Sequence, residues 1–385
     1  MTAAEDGNRG RRPRLLIVGA LPPPLHGVTV MTAALLNGAL NDDFEVLHAD
    51  TSDHRTVANI GRFELANVML ALCHGARFVA MLRRHHPDLV YLPLSQNLAG
   101  FLRDAMFLMA ARATRTPVMV HAHGAQHREF FQRSPAALRA LMRVILAPVR
   151  DIVVLAENLR SQFDGWTPAN ARVSVVPNGV VDEWQDGTPS RDGRLAATVL
   201  YLGNLDPQKG FLDILEAVSA VLAHRPRTRF IFAGQSAWDK STAQAVNSYL
   251  ADSAVSRAVS FVGAVDPKRR HELLGRADLV VFPPRWNEGQ GLVAIEAMSA
   301  GLPLVVTSSG GLAETVRDGR EGLVVPKSCP QAIADSVLRL LGDAKLRARL
   351  GAAGRQRFES EYTIDGWLTR MHAALSEAVD DHDWI

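Results

Sequence analysis

The chain has 385 residues, of which 47% are hydrophobic and 21% charged, as in a folded globular protein rather than a disordered one. At about 100–200 residues per domain, this length predicts two domains. The 42 Lys and Arg nearly balance the 40 Asp and Glu, giving a formal net charge of +2, which excludes a chain built to coat nucleic acid.

Twelve short apolar runs, rich in β-branched residues, are separated by segments of helix length. Strands that are apolar along their whole length are typical of parallel sheets covered by helices on both faces. The runs predicted as strands are Leu15–Leu21, Phe44–Leu47, Leu89–Leu94, Pro117–His121, Ile152–Leu155, Val173–Val176, Val199–Leu202, Phe230–Ala233, Val259–Val262, Leu279–Phe282, Pro303–Val306 and Leu323–Val325.

The predicted strands divide evenly around residues 178–197, a stretch rich in Gly, Asp and Ser that is typical of an interdomain hinge. We therefore predict an α/β protein of two doubly wound, Rossmann-like domains facing each other across a cleft. The first domain is expected to span residues 1–180 and the second residues 181–363. An amphipathic helix over about 364–380 is expected to pack back on the first domain.

Neither the cysteines nor the apolar runs indicate a secreted or membrane-spanning chain. Cys73 and Cys329 stand far apart and outside any metal-ligand spacing, so both are predicted to be buried free thiols. The run Leu15–Leu21 ends in prolines rather than at a cleavage site for a signal peptide. No run reaches the ~18 apolar residues of a membrane-spanning helix, and we expect a cytoplasmic protein.

The most informative segment is Pro283–Gly301, PPRWNEGQGLVAIEAMSAG, where a strand runs into a Pro- and Gly-rich turn and then into a helix. Gly289 and Gly291 allow the backbone to approach a ligand closely. The free amides of Leu292 and Val293 at the helix N-terminus point into that turn. Such an arrangement is typical of a site for a phosphate or diphosphate.

Two carboxylates flank this turn. Glu288 precedes the helix, and Glu296 lies about one turn inside it, roughly 6–8 Å further along the axis. One carboxylate could accept hydrogen bonds from sugar hydroxyls and the other from a ribose diol, on opposite sides of the phosphates. A nucleotide sugar has this order of groups; the alternative is a surface helix with two ordinary acidic residues.

The segment EGQGLVAIE, from Glu288 to Glu296, resembles the Glu-x7-Glu motif of the family-4 retaining glycosyltransferases, which have the GT-B fold. Other segments resemble the same family in order and at suitable spacing. They are His123-Gly124, Pro177–Val180, Tyr201–Gly203 with Lys209-Gly210, Phe261–Gly263, Ala277-Asp278, Gly301–Pro303, and Gly310-Gly311 with Glu314. The resemblance extends over nearly the whole chain and is strongest over residues 198–326.

The resemblance implies roles for individual residues. Glu288 is implied to contact the transferred sugar, Glu296 to hold the ribose, and Lys209 to neutralise the leaving diphosphate. His123 is implied to lie in the cleft near the reacting sugar, so the catalytic candidates are His123, Glu288 and Lys209. The implied donor-binding residues are Gly27, Gly203, Asn204, Lys209, Arg285, Gly289, Gly291, Leu292, Val293 and Glu296.

The chain departs from the family pattern at several positions. Asn204 stands where the family usually has Arg, and Asn donates a hydrogen bond but carries no charge. Arg285 and Arg128 are the candidates to compensate. Trp286 is expected either to pack the turn or to stack on a sugar face. The loop at His26-Gly27 has one glycine where many members have two, and its His is either an acceptor contact or a surface residue.

His121, His123 and His127 form a His-x-His-x3-His pattern, which raises the alternative of a metal site. The first two would share a face of a strand, but apart from Glu129 no carboxylate or cysteine completes a set of ligands at tight spacing. We expect no metal ion and no bound cofactor, in agreement with the metal-independent transfer that the resemblance implies.

The function implied by the resemblance is transfer of a sugar, with retained anomeric configuration, from a nucleotide diphosphate sugar to an acceptor hydroxyl. The setting would be the biosynthesis of a glycan, polysaccharide or glycolipid. The expected partners are the donor and a sugar, lipid-linked or small-molecule acceptor, without nucleic acid. The alternatives are a sugar-nucleotide epimerase of the same fold and a non-catalytic sugar-nucleotide-binding protein docked at a membrane.

Positive charge is concentrated in the first predicted domain, which the resemblance implies to be the acceptor side. Residues 1–180 hold 19 Lys and Arg against 14 Asp and Glu, a net +5, whereas the remaining 205 residues hold 23 against 26, a net −3. Residues 134–150 are predicted to form a helix with a broad apolar face and three arginines. This helix is either a core helix with solvated arginines or an interfacial helix on anionic lipid, which makes the inner face of a membrane the second candidate location.

Overall fold

The computed structural model describes residues 11–23, 27–52, 65–147, 149–188, 196–236 and 238–381. The chain divides into two compact units. The first consists of Met1–Val176 and Trp367–Ile385, and the second of Pro177–Gly366. Each unit is built around a six-stranded sheet of its own.

The first sheet is parallel throughout, with the strand order β2-β1-β3-β4-β5-β6. The inner strands are buried on both faces, which explains their continuous apolar sequences. The strands are β1 (Arg14–Gly19), β2 (Glu45–Asp50), β3 (Leu89–Pro93), β4 (Val118–Ala122), β5 (Asp151–Val154) and β6 (Arg172–Val175).

The α-helices described between these strands are α1 (Gly27–Asn37), α2 (Leu65–His85), α3 (Leu98–Ala113), α4 (His127–Arg133) and α5 (Ala136–Leu146). The chain moves from β1 to β2 in one direction across the sheet and from β2 through β5 in the other. Because crossovers between parallel strands are right-handed, α2, α3 and α5 cover the same face of the sheet. In agreement with this placement, α3 packs against both α2 and α5.

The second sheet is also parallel, with the order β12-β11-β10-β7-β8-β9. Its strands are β7 (Thr198–Leu202), β8 (Arg229–Ala233), β9 (Val259–Gly263), β10 (Leu279–Phe282), β11 (Leu304–Thr307) and β12 (Gly322–Val325). The strand order runs outward in both directions from the β7–β10 pair. The carboxyl ends of these two strands therefore form the topological switch point, where ligands of such sheets bind.

The remaining helices are α6 (Phe211–His224), α7 (Lys240–Leu250), α8 (Ser253–Ala258), α9 (Pro267–Arg276), α10 (Leu292–Ser299), α11 (Leu312–Thr315), α12 (Pro330–Gly342), α13 (Ala344–Arg357) and α14 (Ile364–Asp380). Helices α7, α8, α9 and α13 each follow an Asp whose carboxylate accepts a hydrogen bond from a first-turn amide. These N-caps fix where the helices begin.

From Trp367 onward, α14 belongs to the first unit. The Trp367 side chain is fully buried. Further along, His372 Nε2 lies 2.8 Å from Asp43 Oδ2, and Arg172 NH1, on β6, donates to Asp381 Oδ2 at 2.8 Å. The C-terminal helix is thus held on the first unit by packing and by polar side-chain contacts.

All twelve runs predicted as strands are strands, and the predicted α/β fold of two doubly wound domains is confirmed. Part of the predicted hinge, residues 189–195, lies outside the described residues.

The prediction of two buried thiols was wrong for Cys73, which is exposed on α2; Cys329 is half-buried, and both are free. The reason is that α2 also places apolar residues on its outer side. No described helix combines the length and the apolar character needed to cross a bilayer.

Candidate active site

Most of the predicted donor-binding residues lie in two loops at the switch point of the second sheet. Gly203-Asn204 and the 3-10 turn Pro207–Lys209 follow β7, and residues 283–291 follow β10. The two strands are hydrogen-bonded neighbours, so the loops lie side by side. They also bond to each other, since the Arg285 amide donates to the Gln208 carbonyl at 2.8 Å.

Two glycines allow this close approach. Gly210 and Gly291 have left-handed backbones, with φ of 79° and 78°. A Cβ on Gly210 would lie 2.0 Å from the Pro283 carbonyl oxygen, and one on Gly291 would lie 2.9 Å from the Phe282 ring. Gly291 is the N-cap of α10, and among the described residues no side chain caps this helix. The first amides of α10 are therefore suited to an anion.

Lys209 and Glu288 form an ion pair between the two loops, with Nζ 2.5 Å from Oε2. The same Oε2 accepts a hydrogen bond from Trp286 Nε1 at 3.0 Å. Lys209 Nζ also lies 4.9 Å from the centroid of the Trp286 ring and 5.7 Å from that of Phe282, within the range of cation–π contacts. A cation and a carboxylate are thus held together, both largely buried, at the switch point.

The β10 loop is held in place by the loops that follow β11 and β12. The Glu288 amide donates to Ser309 Oγ at 3.2 Å, and the Glu288 carbonyl accepts from the Gly311 amide at 3.0 Å. Lys327 Nζ donates to Asn287 Oδ1 at 2.9 Å. These contacts position the Glu288 side chain through its own main chain.

Glu296 lies on α10 and is held by an arginine from α9. Arg270 NH1 donates to Glu296 Oε1 at 2.8 Å, and its NH2 lies 3.4 Å from Glu183 Oε1. Burial raises the pKa of Glu296 above the usual carboxyl value, while the Arg270 charge opposes that rise. The second carboxylate of the motif is therefore oriented by a specific partner.

These groups can bind a diphosphate flanked by hydroxylated groups. The α10 amides and Lys209 provide positive potential for the phosphates. Glu288 and Glu296, on either side of them, provide acceptors for hydroxyl groups.

Comparison with known proteins agrees with this geometry. Residues 15–179 match the family described as "Glycosyl transferase 4-like domain", and residues 191–357 match "Glycosyl transferases group 1". The chain belongs to the family-4 glycosyltransferases of the GT-B fold. Within this family, it is 32% identical over 252 residues to a D-inositol 3-phosphate glycosyltransferase of Acidothermus cellulolyticus, a match covering 59% of this chain and 55% of the relative.

A second relative in the glycosyltransferase family is a lipopolysaccharide 1,2-N-acetylglucosaminetransferase of Salmonella typhimurium, which is 27% identical over 75% of this chain and 78% of its own. The chain spans about half the length of several curated relatives that it matches. Among solved structures, Anabaena HepE in complex with UDP and glucose superposes with a TM-score of 0.73 at 17% identity, over 94% of this chain and 99% of HepE. At this identity the likeness shows the shared fold.

Asn204, which departs from the family pattern, and Arg285, a candidate to compensate for it, both lie in the site loops. Asn204 is exposed, and its carbonyl accepts from Tyr201 OH at 2.8 Å. Arg285 forms a bidentate pair with the buried Asp213 of α6, with Nε–Oδ2 and NH2–Oδ1 distances of 2.9 and 2.5 Å. Arg128, the other candidate to compensate for Asn204, is exposed on α4 of the first unit. Compensation by either arginine stays a prediction.

The predicted first-domain residues lie at the carboxyl edge of the first sheet. Gly27 begins α1, shortly after β1, whereas His26 lies outside the described residues. His123 directly follows β4, and its ring stacks on that of His121 with centroids 3.9 Å apart. Burial lowers the pKa of His121 well below the usual value, and the neighbouring His123 lowers it further. His121 is therefore a neutral packing partner for His123.

The His-x-His-x3-His pattern does not converge on one point. His121 Nδ1 hydrogen-bonds with Tyr91 OH at 2.7 Å, and His127 Nε2 with the Leu94 carbonyl at 3.1 Å. Within the described residues, no three His, Cys, Asp or Glu side chains are grouped as metal ligands.

Sequence reasoning missed the residues that hold the site in place. Arg270 orients Glu296, Asp213 anchors Arg285, and Ser309 supports Glu288. Arg270 and Ser309 lie 26 and 21 residues from the groups they contact, and nothing in the local pattern distinguishes them from surface polar residues. Of these three residues, Asp213 could have been singled out from the sequence, because a carboxylate on the apolar side of a helix needs a partner.

Proposed function

We propose that this protein is a retaining glycosyltransferase that moves a sugar from a nucleotide diphosphate sugar to an acceptor hydroxyl, in glycan, polysaccharide or glycolipid biosynthesis. The observation that carries the proposal is the ion pair of Lys209 and Glu288 at the switch point, beside the uncapped N-terminus of α10. In this proposal the pair supplies a cation for the diphosphate and a hydrogen-bond acceptor for the sugar of the donor.

Lys209 and the α10 amides stabilise the leaving group in this proposal. Cleavage of the bond between the anomeric carbon and the phosphate oxygen adds charge to the diphosphate. A fixed ammonium in a largely buried site stabilises that charge without reorganisation, an effect worth about 10²–10³ in rate for a single group. Lys209 is already held within the site by Glu288 and the Trp286 ring.

Retention follows if the acceptor attacks from the face that the diphosphate leaves. The acceptor oxygen then forms the new bond to the anomeric carbon while the bond to the phosphate breaks. The acceptor proton passes to the departing phosphate oxygen. Glu288 acts in this step by accepting hydrogen bonds from sugar hydroxyls, which fixes the ring relative to both groups.

We further propose that transfer needs no divalent metal, because Lys209 and the α10 amides supply the positive charge. Activity that persists at full rate in excess EDTA would support this proposal. Activity lost in EDTA and restored by Mg²⁺ or Mn²⁺ would show that the proposal of metal independence is wrong.

The proposed division of labour assigns the donor to the second unit and the acceptor to the first. Glu296 would hold the ribose, with Arg270 keeping its carboxylate in position. Gly203, Asn204, Arg285 and Gly289 complete the proposed donor loops, while Gly27 and His123 would serve the acceptor side. The proposed location is the cytoplasm, with contact to the inner face of a membrane when the acceptor is lipid-linked.

A thermal-shift panel of UDP-, GDP-, ADP- and dTDP-sugars tests the donor class. One of these donors should raise Tm, since a ligand at 100 times its Kd stabilises by about 2.7 kcal/mol. Glu296→Gln should weaken that shift, whereas Glu216→Gln, at an exposed position on α6, serves as the control. Conversion of the donor to another sugar nucleotide without acceptor would identify an epimerase instead.

A further inference from the structure

The outer surface of α2, α3 and α5 exposes large apolar side chains. Seven of the nine such side chains found exposed among the described residues lie on these three helices of the first unit. They are Met69 (56% exposed) and Leu72 (53%) on α2, Leu98 (41%), Leu102 (43%) and Met109 (48%) on α3, and Leu141 (48%) and Val144 (54%) on α5.

These side chains form stripes rather than scattered points. Positions 69 and 72 on α2, 98 and 102 on α3, and 141 and 144 on α5 are three or four residues apart, which places each pair on one side of its helix. Because α3 packs between α2 and α5 on one face of the sheet, the three stripes form a single apolar surface. Contiguous surfaces of this kind mark interaction sites.

The charges on the same helices have one sign. Helix α2 contains three arginines, and α3 and α5 contain two each. Their only acidic residue is Asp104, which is fully buried and paired with Arg103 at 2.7 Å. An apolar surface edged by arginines, without an exposed acid, is complementary to an anionic bilayer.

A cavity of about 380 Å³ between β2 and α2 adds a specific site at this surface. Its lining includes Arg77 and Arg84, two turns apart on α2, together with His48, His74 and His85. Both arginines are exposed on α2, and neither forms an ion pair within the described part of the chain.

The described lining also includes the carboxylate of Asp50. Asp50 lies at the end of β2, and its Oδ1 accepts hydrogen bonds from Ser52 N and Ser52 Oγ. Among the described residues of the lining, two guanidinium groups outnumber this single acid. Arginine forks match the oxygens of a phosphate group, so the cavity suits a phosphate ester.

We propose that the outer face of α2, α3 and α5 docks on an anionic phospholipid bilayer and that the cavity between β2 and α2 receives a headgroup phosphate. The apolar stripes enter the interfacial region while Arg77 and Arg84 bind the phosphate. This docking extends the proposed function by bringing the acceptor side to the membrane surface, and it does not depend on the identity of the donor.

Vesicle flotation tests the proposal with the full chain. The protein should float with vesicles of phosphatidylcholine containing phosphatidylglycerol and should not float with phosphatidylcholine alone. The double variant Arg77→Gln/Arg84→Gln should bind anionic vesicles about 30-fold more weakly, from about 1 kcal/mol per basic residue at the surface. Met69→Ser/Leu72→Ser should also lower binding, by removing apolar contacts that salt does not screen.

The matched control is Arg227→Gln/Arg257→Gln, which removes the same charge from exposed positions of the second unit and should float like the wild type. If this control lost vesicle binding to the same extent, the effect would come from net charge alone and the proposed binding site would be wrong. Flotation that is absent for the wild type, or unchanged in the cavity variant, would also overturn it. A thermal shift with inorganic phosphate, lost in the cavity variant but without flotation of the wild type, would assign the cavity to a soluble phosphate.

Donor binding measured on the same variants separates this inference from the proposed function. The cavity variants should keep the donor-induced thermal shift of the wild type. Glu296→Gln should lose that shift and still float.

Discussion

Lys209 Nζ lies 2.5 Å from Glu288 Oε2, although 79 residues separate them in the sequence. The contact exists because β7 and β10 are neighbours at the point where the strand order reverses. The loops that follow these strands come within hydrogen-bonding distance, and the Trp286 ring covers the pair. The two groups are therefore in place before a donor arrives, which reduces the entropy lost on binding.

Lys209→Met should lower kcat by about 10²–10³ while leaving the fold intact. The substitution keeps the length of the side chain but removes the charge that stabilises the leaving diphosphate. Steady-state kinetics with a saturating donor measures this effect. Lys240→Met, at an exposed position at the start of α7, is the control and should retain wild-type kcat; an equal loss there would refute the local role of Lys209.

Arg270→Gln should raise the KM for the donor about tenfold and change kcat little. Arg270 contacts Glu296 rather than the reacting atoms, so its loss should affect ground-state and transition-state binding alike. Arg269→Gln, on the same helix and paired with the exposed Glu272, is the matched control.

The same variant should shift the pH dependence of donor binding. Burial raises the pKa of Glu296 and Arg270 lowers it, so removing Arg270 leaves the raising effect unopposed. The pH below which donor affinity declines should therefore be higher in Arg270→Gln than in the wild type. A profile that moves to lower pH, or does not move, would contradict the role of Arg270.

Gly291→Ala should abolish the donor-induced thermal shift and destabilise the protein by about 2 kcal/mol. The added Cβ combines a left-handed backbone with a 2.9 Å contact to the Phe282 ring at the entry to α10. Gly319→Ala provides the comparison, because Gly319 has φ 70° but nothing within 4 Å of the added atom. This control should lose about 1 kcal/mol and keep donor binding.

Asp182→Asn should reduce the free energy of unfolding at pH 7 by about 2 kcal/mol. Asp182 forms a bidentate pair with Arg355 at 2.6 Å for both contacts, and this hydrogen bonding holds the pKa of Asp182 below 3.8. The stabilisation is fully present above pH 3.8 and disappears as the pH falls through the folded-state pKa. Chemical unfolding of both proteins should therefore give a difference at pH 7 that vanishes in strong acid, whereas a constant difference would contradict the assignment to ionised Asp182.

The sequence predicted all twelve strands because each buried parallel strand carries a continuous apolar run, as in Val280–Phe282 of β10. It also predicted the start of α10, because Gly289 and Gly291 interrupt the chain immediately before a helix-forming stretch. Both signals lie within the segment whose structure they predict, so neither depends on contacts with distant residues.

The exposed surface of α2 could not be predicted in the same way. Its apolar spacing over residues 69–82 is that of a core-facing helix, yet Met69 and Leu72 are exposed while Phe78 and Leu82 are buried. Which apolar stripe faces the sheet depends on the packing of neighbouring helices, and a single helix sequence does not contain that information. Trp286, expected either to pack the turn or to stack on a sugar face, lies against Lys209 and donates a hydrogen bond to Glu288; its contact with a sugar stays a prediction.

The proposed retaining transfer is tested most directly by the anomeric configuration of the sugar that the protein releases from its donor. With the donor that gives the largest thermal shift, proton NMR in the first minutes of turnover, with water or a simple alcohol as acceptor, identifies the anomer before it mutarotates. A retaining transferase that uses Lys209 and Glu288 should release the anomer of the donor, and Glu288→Ala should release none. Release of the opposite anomer, or undiminished release by Glu288→Ala, would contradict the account.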